Sequence, residues 1–67
     1  MSPMARMAKR VKALRLRRGL TQAELATRAR ISRKHVVRLE AAEQEPTLGV
    51  IERLAKALGV KPGRLLD

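Results

Sequence analysis

The chain has 67 residues, a net charge of +10, no cysteine and no Phe, Trp or Tyr. A chain this short buries only about 60% of the surface it exposes when unfolded, and here it must do so without disulfides or ring packing. One compact domain is therefore expected, with no room for a separate sensor or catalytic domain. No apolar run approaches the roughly 20 residues of a membrane span, so a soluble, cytoplasmic protein is expected.

Met1 to Met4 lacks a pattern and contains Pro3, so residues 1–4 read as a flexible arm and residues 5–67 as the folded domain. From about Ala5 to Arg18, the Ala, Arg, Lys, Leu and Met content favours a helix. Met7, Val11 and Leu14 form its apolar stripe. The stripe is narrow and has no aromatic anchor, which argues against a helix lying on a membrane. Gly19 is suited to the left-handed residue that closes it.

Two short helices should follow. Thr21 is placed as an N-cap with Glu24 three residues on, a capping box, and Leu20 with Leu25 forms a hydrophobic staple. Ser32 repeats the device with Ile31 and Val36. Two capped starts eleven positions apart leave about two helical turns and a sharp corner, the spacing of a helix-turn-helix unit. On the second helix, about Arg33 to Ala41, Val36, Leu39 and Glu40 share one side. Arg33, Lys34, Val37, Arg38 and Ala41 share the other. Three cations around small apolar groups suit a DNA major groove, whose edges offer guanine acceptors and thymine methyls. His35 projects sideways and is a candidate phosphate contact.

Pro46 closes the polar connector that comes next. Thr47 can cap a fourth helix running to about Leu58, and Gly59 can close it. Pro62 suits the first position of a last short helix containing Leu65 and Leu66. The fold class is thus all-α, with five helices and no strand signal.

Residues 1–38 hold twelve Lys or Arg against the single acid Glu24, a net +11, whereas residues 39–67 carry a net −1. A polyanionic partner met by one face is implied. One His, no Cys and a lone Asp leave no catalytic constellation, metal-ligand cluster or phosphate loop. No catalytic residue, metal or cofactor is expected.

The runs GLTQAELATRARISRKHVVRLE and PTLGVIERLAKALGVKPGRLL, over about residues 8–66, resemble the lambda-repressor-like Cro/CI (XRE) family of helix-turn-helix DNA-binding domains. The resemblance implies a compact five-helix domain that binds double-stranded DNA as a transcriptional regulator, commonly as a homodimer. Arg33, Lys34 and Arg38 fall at base-contacting positions, and Val37 can meet a thymine methyl. Gln22 matches a phosphate-binding position, and Thr21 and Ser32 can touch phosphates as they cap. Arg15 and Glu40 match a structural ion pair, with Arg15 also a candidate backbone contact. Arg17 and Arg18, close in sequence to the Thr21 cap, are further phosphate candidates.

The sequence departs from the family pattern in three places. Arg30 stands where a turn Gly is usual and should be left-handed. The loop Ala42-Glu43-Gln44-Glu45 is acidic beside the expected DNA backbone, which admits a protein-partner role, as in an antitoxin or co-regulator. Lys61 replaces the usual cap of the last helix. Leu65 and Leu66 either close the core or form the dimer surface.

Overall fold

A computed structural model describes residues 1–66. All regular structure among them is helical: α1 (Pro3–Arg17), α2 (Gln22–Ala29), α3 (Arg33–Glu40), α4 (Leu48–Leu58) and α5 (Gly63–Leu66). The four longer helices start alike, each with a hydroxyl accepting a backbone N–H that the first turn leaves without a carbonyl. Ser2 accepts from Ala5 at 3.0 Å, Thr21 from Glu24 at 3.0 Å, Ser32 from His35 at 3.0 Å and Thr47 from Val50 at 3.2 Å. Around Thr21 the box is complete, because the Thr21 N–H donates back to Glu24 Oε1 at 2.8 Å.

The first of these caps corrects the expected arm. Ser2 caps α1 and Pro3 occupies its opening turn, so Pro3 and Met4 are helical. Proline's fixed φ and missing N–H cost nothing at a position where no intrahelical donor is needed. At the other end of the chain, α5 begins at Gly63, one residue later than expected, and Pro62 contributes only its carbonyl, accepting from Leu65 N–H at 3.0 Å.

The same four helices also end alike. A backbone N–H beyond each terminus returns five residues: Leu20 to Arg15, Ile31 to Ala26, Glu43 to Arg38 and Val60 to Ala55, all at 2.9–3.1 Å. Each closure has the geometry of a Schellman motif and requires a left-handed residue. Gly19 and Gly59 take that role freely, but so do Arg30 at φ 59° and Ala42 at φ 58°. The two L residues carry about 1–2 kcal/mol of backbone strain each. The strain at Arg30 accords with the expectation that it replaces a turn glycine.

The core gathers Met7 and Val11 of α1, Leu25 of α2, Val36 and Leu39 of α3, Leu54 and Leu58 of α4 and Leu65 of α5. Leu65 is 1% exposed and Leu66 55%, so of the two C-terminal leucines the first closes the core and the second does not. No helix among the described residues is long and apolar enough to cross a membrane.

Candidate nucleic-acid interface

The orientation of α3 is fixed from inside. Val36 and Leu39 are fully buried, and the Glu40 carboxylate accepts from Arg15 Nε at 2.7 Å and from Arg15 Nη2 at 3.0 Å. Gln22 Nε2 donates to the same carboxylate at 3.2 Å. Three helices thus meet at one anion: α1 through Arg15, α2 through Gln22 and α3 through Glu40. The pair lies largely out of solvent, with side-chain exposures of 9% and 4%. Breaking a buried pair leaves one charge uncompensated, so the arrangement resists rotation of α3.

With those residues turned inward, Arg33, Lys34, Val37, Arg38 and Ala41 are all exposed. Taking Arg33 as zero, they span about 140° of the helix surface at 100° per residue. Eight residues make α3 about 12 Å long, and the major groove is about 12 Å wide. Next to this face, Thr21, Gln22, Ala23 and Arg33 line an open cleft of about 480 Å³ with Arg15 at its side. The cleft joins the start of α2 to the start of α3, where free N–H groups and helix dipoles favour an anion. Thr21 and Gln22 line this cleft, and Ser32, the N-cap of α3, immediately precedes Arg33.

Four other candidates are placed differently. Arg15 is 7% exposed, and its Nη1 donates to the Leu20 carbonyl at 2.8 Å. With acceptors on Nε, Nη1 and Nη2, Arg15 ties α1 to α3 and to the turn before α2, while its side chain also lines the cleft at the start of α2. Arg17 lies about 200° around α1 from Arg15 and lines a small cleft with Arg10 and Arg64, on the side facing α5. Arg18 folds over Gly59, so closely that a Cβ there would collide with its guanidinium. The negative end of the α4 dipole attracts it to that place. Being near Thr21 in sequence thus takes neither Arg17 nor Arg18 to the α2 N-terminus.

His35 is the fourth. It lies about 40° around α3 from Leu39, on the flank of the buried side. Its Nε2 is buried without a hydrogen-bond partner, so that nitrogen faces the packed side of α3. Sequence reasoning anticipated neither this orphaned nitrogen nor the Gln22–Glu40 bond. The seven-residue interval between Glu40 and Arg33 and the capped start at Gln22 are local signals, but the bond depends on how α2 and α3 cross.

No group of three or more metal-ligating side chains occurs among the described residues.

Comparison with known proteins places these features in context. The chain is 38% identical over 55 residues to an immunity repressor protein of Bacillus phage phi105, and 44% identical over 41 residues to an uncharacterised HTH-type transcriptional regulator of Methanothermobacter thermautotrophicus. These alignments cover 82% and 61% of this chain but only 38% and 59% of the relatives, so the chain spans less than two thirds of the curated relatives it matches. Among solved structures, the restriction-modification controller protein C.AhdI from Aeromonas hydrophila is 31% identical, with a TM-score of 0.90 over 92% of this chain and 94% of that one. The P22 c2 repressor in complex with a synthetic operator is 31% identical, with a TM-score of 0.86 over 91% of this chain and 92% of that one. SinR, a master regulator for biofilm formation solved in complex with DNA, is 27% identical, with a TM-score of 0.87 over 91% of this chain and 98% of that one. The helix-turn-helix family model matches residues 11–65, and the chain belongs to that family.

Proposed function

We propose that the chain is the DNA-binding part of a cytoplasmic transcriptional regulator, reading double-stranded DNA with the exposed face of α3. The observation that carries this reading is the continuity of two surfaces. The outward face Arg33, Lys34, Val37, Arg38 and Ala41 runs into the cleft at the α2 N-terminus lined by Thr21, Gln22 and Arg33. A helix seated in the major groove needs both: side chains on base edges and donors on the flanking phosphates. Arg33, Lys34 and Arg38 would address guanine O6 and N7, and Val37 a thymine methyl. Gln22, Thr21 and Ser32 would hold the backbone. The operator-bound P22 c2 repressor and the DNA-bound SinR support the same role through similarity of fold and sequence.

The chain would act as a homodimer through the surface around Leu66. Leu66 is 55% exposed and borders a shallow groove of about 120 Å³ lined also by Pro3, Met4, Met7, Pro46 and Ile51, with Glu45 at its edge. A second copy would cover this apolar patch and present two α3 helices to half-sites about one helical turn apart.

Selection from a random duplex pool at roughly 150 mM salt tests the reading, because at that salt unspecific phosphate attraction is weakened. A palindromic motif bound roughly 10³-fold more tightly than a scrambled duplex is expected. Equal affinity for all duplexes would overturn it.

A further inference from the structure

At the opposite end of α2 from the Gln22 cleft lies a second concavity, of about 460 Å³, lined by Arg28, Ala29, Arg30, Arg53, Lys56 and Ala57. Arg28 and Arg30 come from the end of α2. Arg53, Lys56 and Ala57 share one face of α4, at spacings of three and four residues. The floor is made of the two alanines, Ala29 buried and Ala57 half-buried, and the four cations stand exposed around it. No carboxylate of the described residues lines it. Among the described residues the one ion pair is Arg15–Glu40, so none of the four cations has a carboxylate within bonding distance. Glu24, one turn before Arg28, is held by the Thr21 N–H.

Two further observations set this cluster apart from an ordinary solvated face. Arg30 has a left-handed backbone, at φ 59°, where glycine would be unstrained, and this turn sets its side chain beside the end of α4. Arg53 is drawn toward the same corner, with Nη1 placed 3.5 Å from the Arg30 carbonyl oxygen. Four like charges gathered on a concave surface repel one another, and a multivalent anion reverses the sign of that interaction. Arginine offers planar forks that match phosphoryl oxygens in pairs.

We propose that this cleft is a second phosphate-binding site, separate from the α3 face, taking a chain of two or more phosphoryl groups. Such groups occur on soluble oligophosphates and on the backbone of duplex flanking the bound segment, and the site's chemistry serves both. The proposal does not depend on base reading by α3.

Inorganic tripolyphosphate is the probe, titrated into the full ¹⁵N-labelled chain at roughly 150 mM salt and followed by amide shifts. Saturable shifts at Arg28 to Arg30 and Arg53 to Ala57 that fit a single site are expected, whatever binds at the start of α2. The Arg53→Ala/Lys56→Ala variant should lose at least about tenfold in affinity, a difference well above the scatter of weak surface pairs. Both residues are exposed, and the dispersed spectrum of the variant reports that it is folded. Arg33→Ala/Lys34→Ala should keep the shifts at Arg28 to Arg30 and Arg53 to Ala57 at the parent's affinity. Duplexes with and without about 10 base pairs of flank, one helical turn, then separate the sources. A loss by the Arg53/Lys56 variant on the longer duplex alone assigns the site to flanking backbone; equal binding to both assigns it to soluble oligophosphate. Shifts confined to Thr21, Gln22 and Arg33, or identical titrations of parent and Arg53/Lys56 variant, would overturn the proposal.

Discussion

Glu40 is the side chain on which the most depends. It accepts from Arg15 twice and from Gln22 once, and it is the one acid of α3, on the buried side of that helix. Removing it leaves the Arg15 guanidinium buried with only the Leu20 carbonyl as partner. Losing one member of such a pair costs about 3–5 kcal/mol. In a domain of this size each kcal/mol lowers Tm by about 4–8 °C. Glu40→Ala should therefore melt at least about 12 °C below the parent by circular dichroism; a change of a few degrees would show that the three-helix junction contributes little. The roles of Arg15 and Glu40 could be expected from the resemblance. The places of Arg17, Arg18 and His35 could not. Those depend on which helix packs alongside, α5 for Arg17, the end of α4 for Arg18 and the buried flank for His35, and on the direction of a side chain near a helix end. Sequence distance from a cap carries none of this.

The helices were far more readable than the side chains between them, because their start signals are local. Ser32, Thr21 and Thr47 cap where hydroxyls precede amphipathic runs, and Ser2 with Pro3 shows the same logic at a start that looked patternless. The stops were half readable. Gly19 and Gly59 announce left-handed closures, whereas Ala42 has no such signal, and only the return bond from Glu43 to Arg38 reveals it. The capping box also carries a pH dependence. The Thr21 backbone N–H, foremost, and its hydroxyl hold the Glu24 carboxyl below its ordinary range, with Arg28 adding to the effect. A depressed acid stabilises the fold in full above its unfolded pKa, about 4.3, and the contribution fades as the pH falls through the lower folded value. Glu24→Gln should thus show a shallower fall of Tm with acidification than the parent. Parallel curves would mean that the carboxylate does not contribute through its ionised form.

The whole domain measures 27 × 22 × 21 Å, less than the 34–36 Å between half-sites one turn apart. One chain can cover one half-site, and reading a palindrome takes two. The division of charge, +11 before residue 39 and −1 after it, fits a molecule with one end for phosphates and another for a second copy. The basic cleft of Arg28, Arg30, Arg53 and Lys56 breaks that simple division, since two of its cations come from the nearly neutral half; only the packing of α2 on α4 brings them together. Leu66→Glu places a charge on the exposed leucine without touching the core. It should shift the sedimenting species from dimer to monomer, while an unchanged dimer would move the interface elsewhere.

Base reading by α3 in the major groove is examined most directly by guanine N7 methylation interference on a selected duplex. The N7 methyl projects into the major groove, where Arg33, Lys34 and Arg38 would bond guanine. Binding should be lost on duplexes methylated at the motif's guanines and kept on those methylated outside it. Undiminished binding to duplexes carrying N7-methylated guanines throughout the motif would contradict the placement of α3.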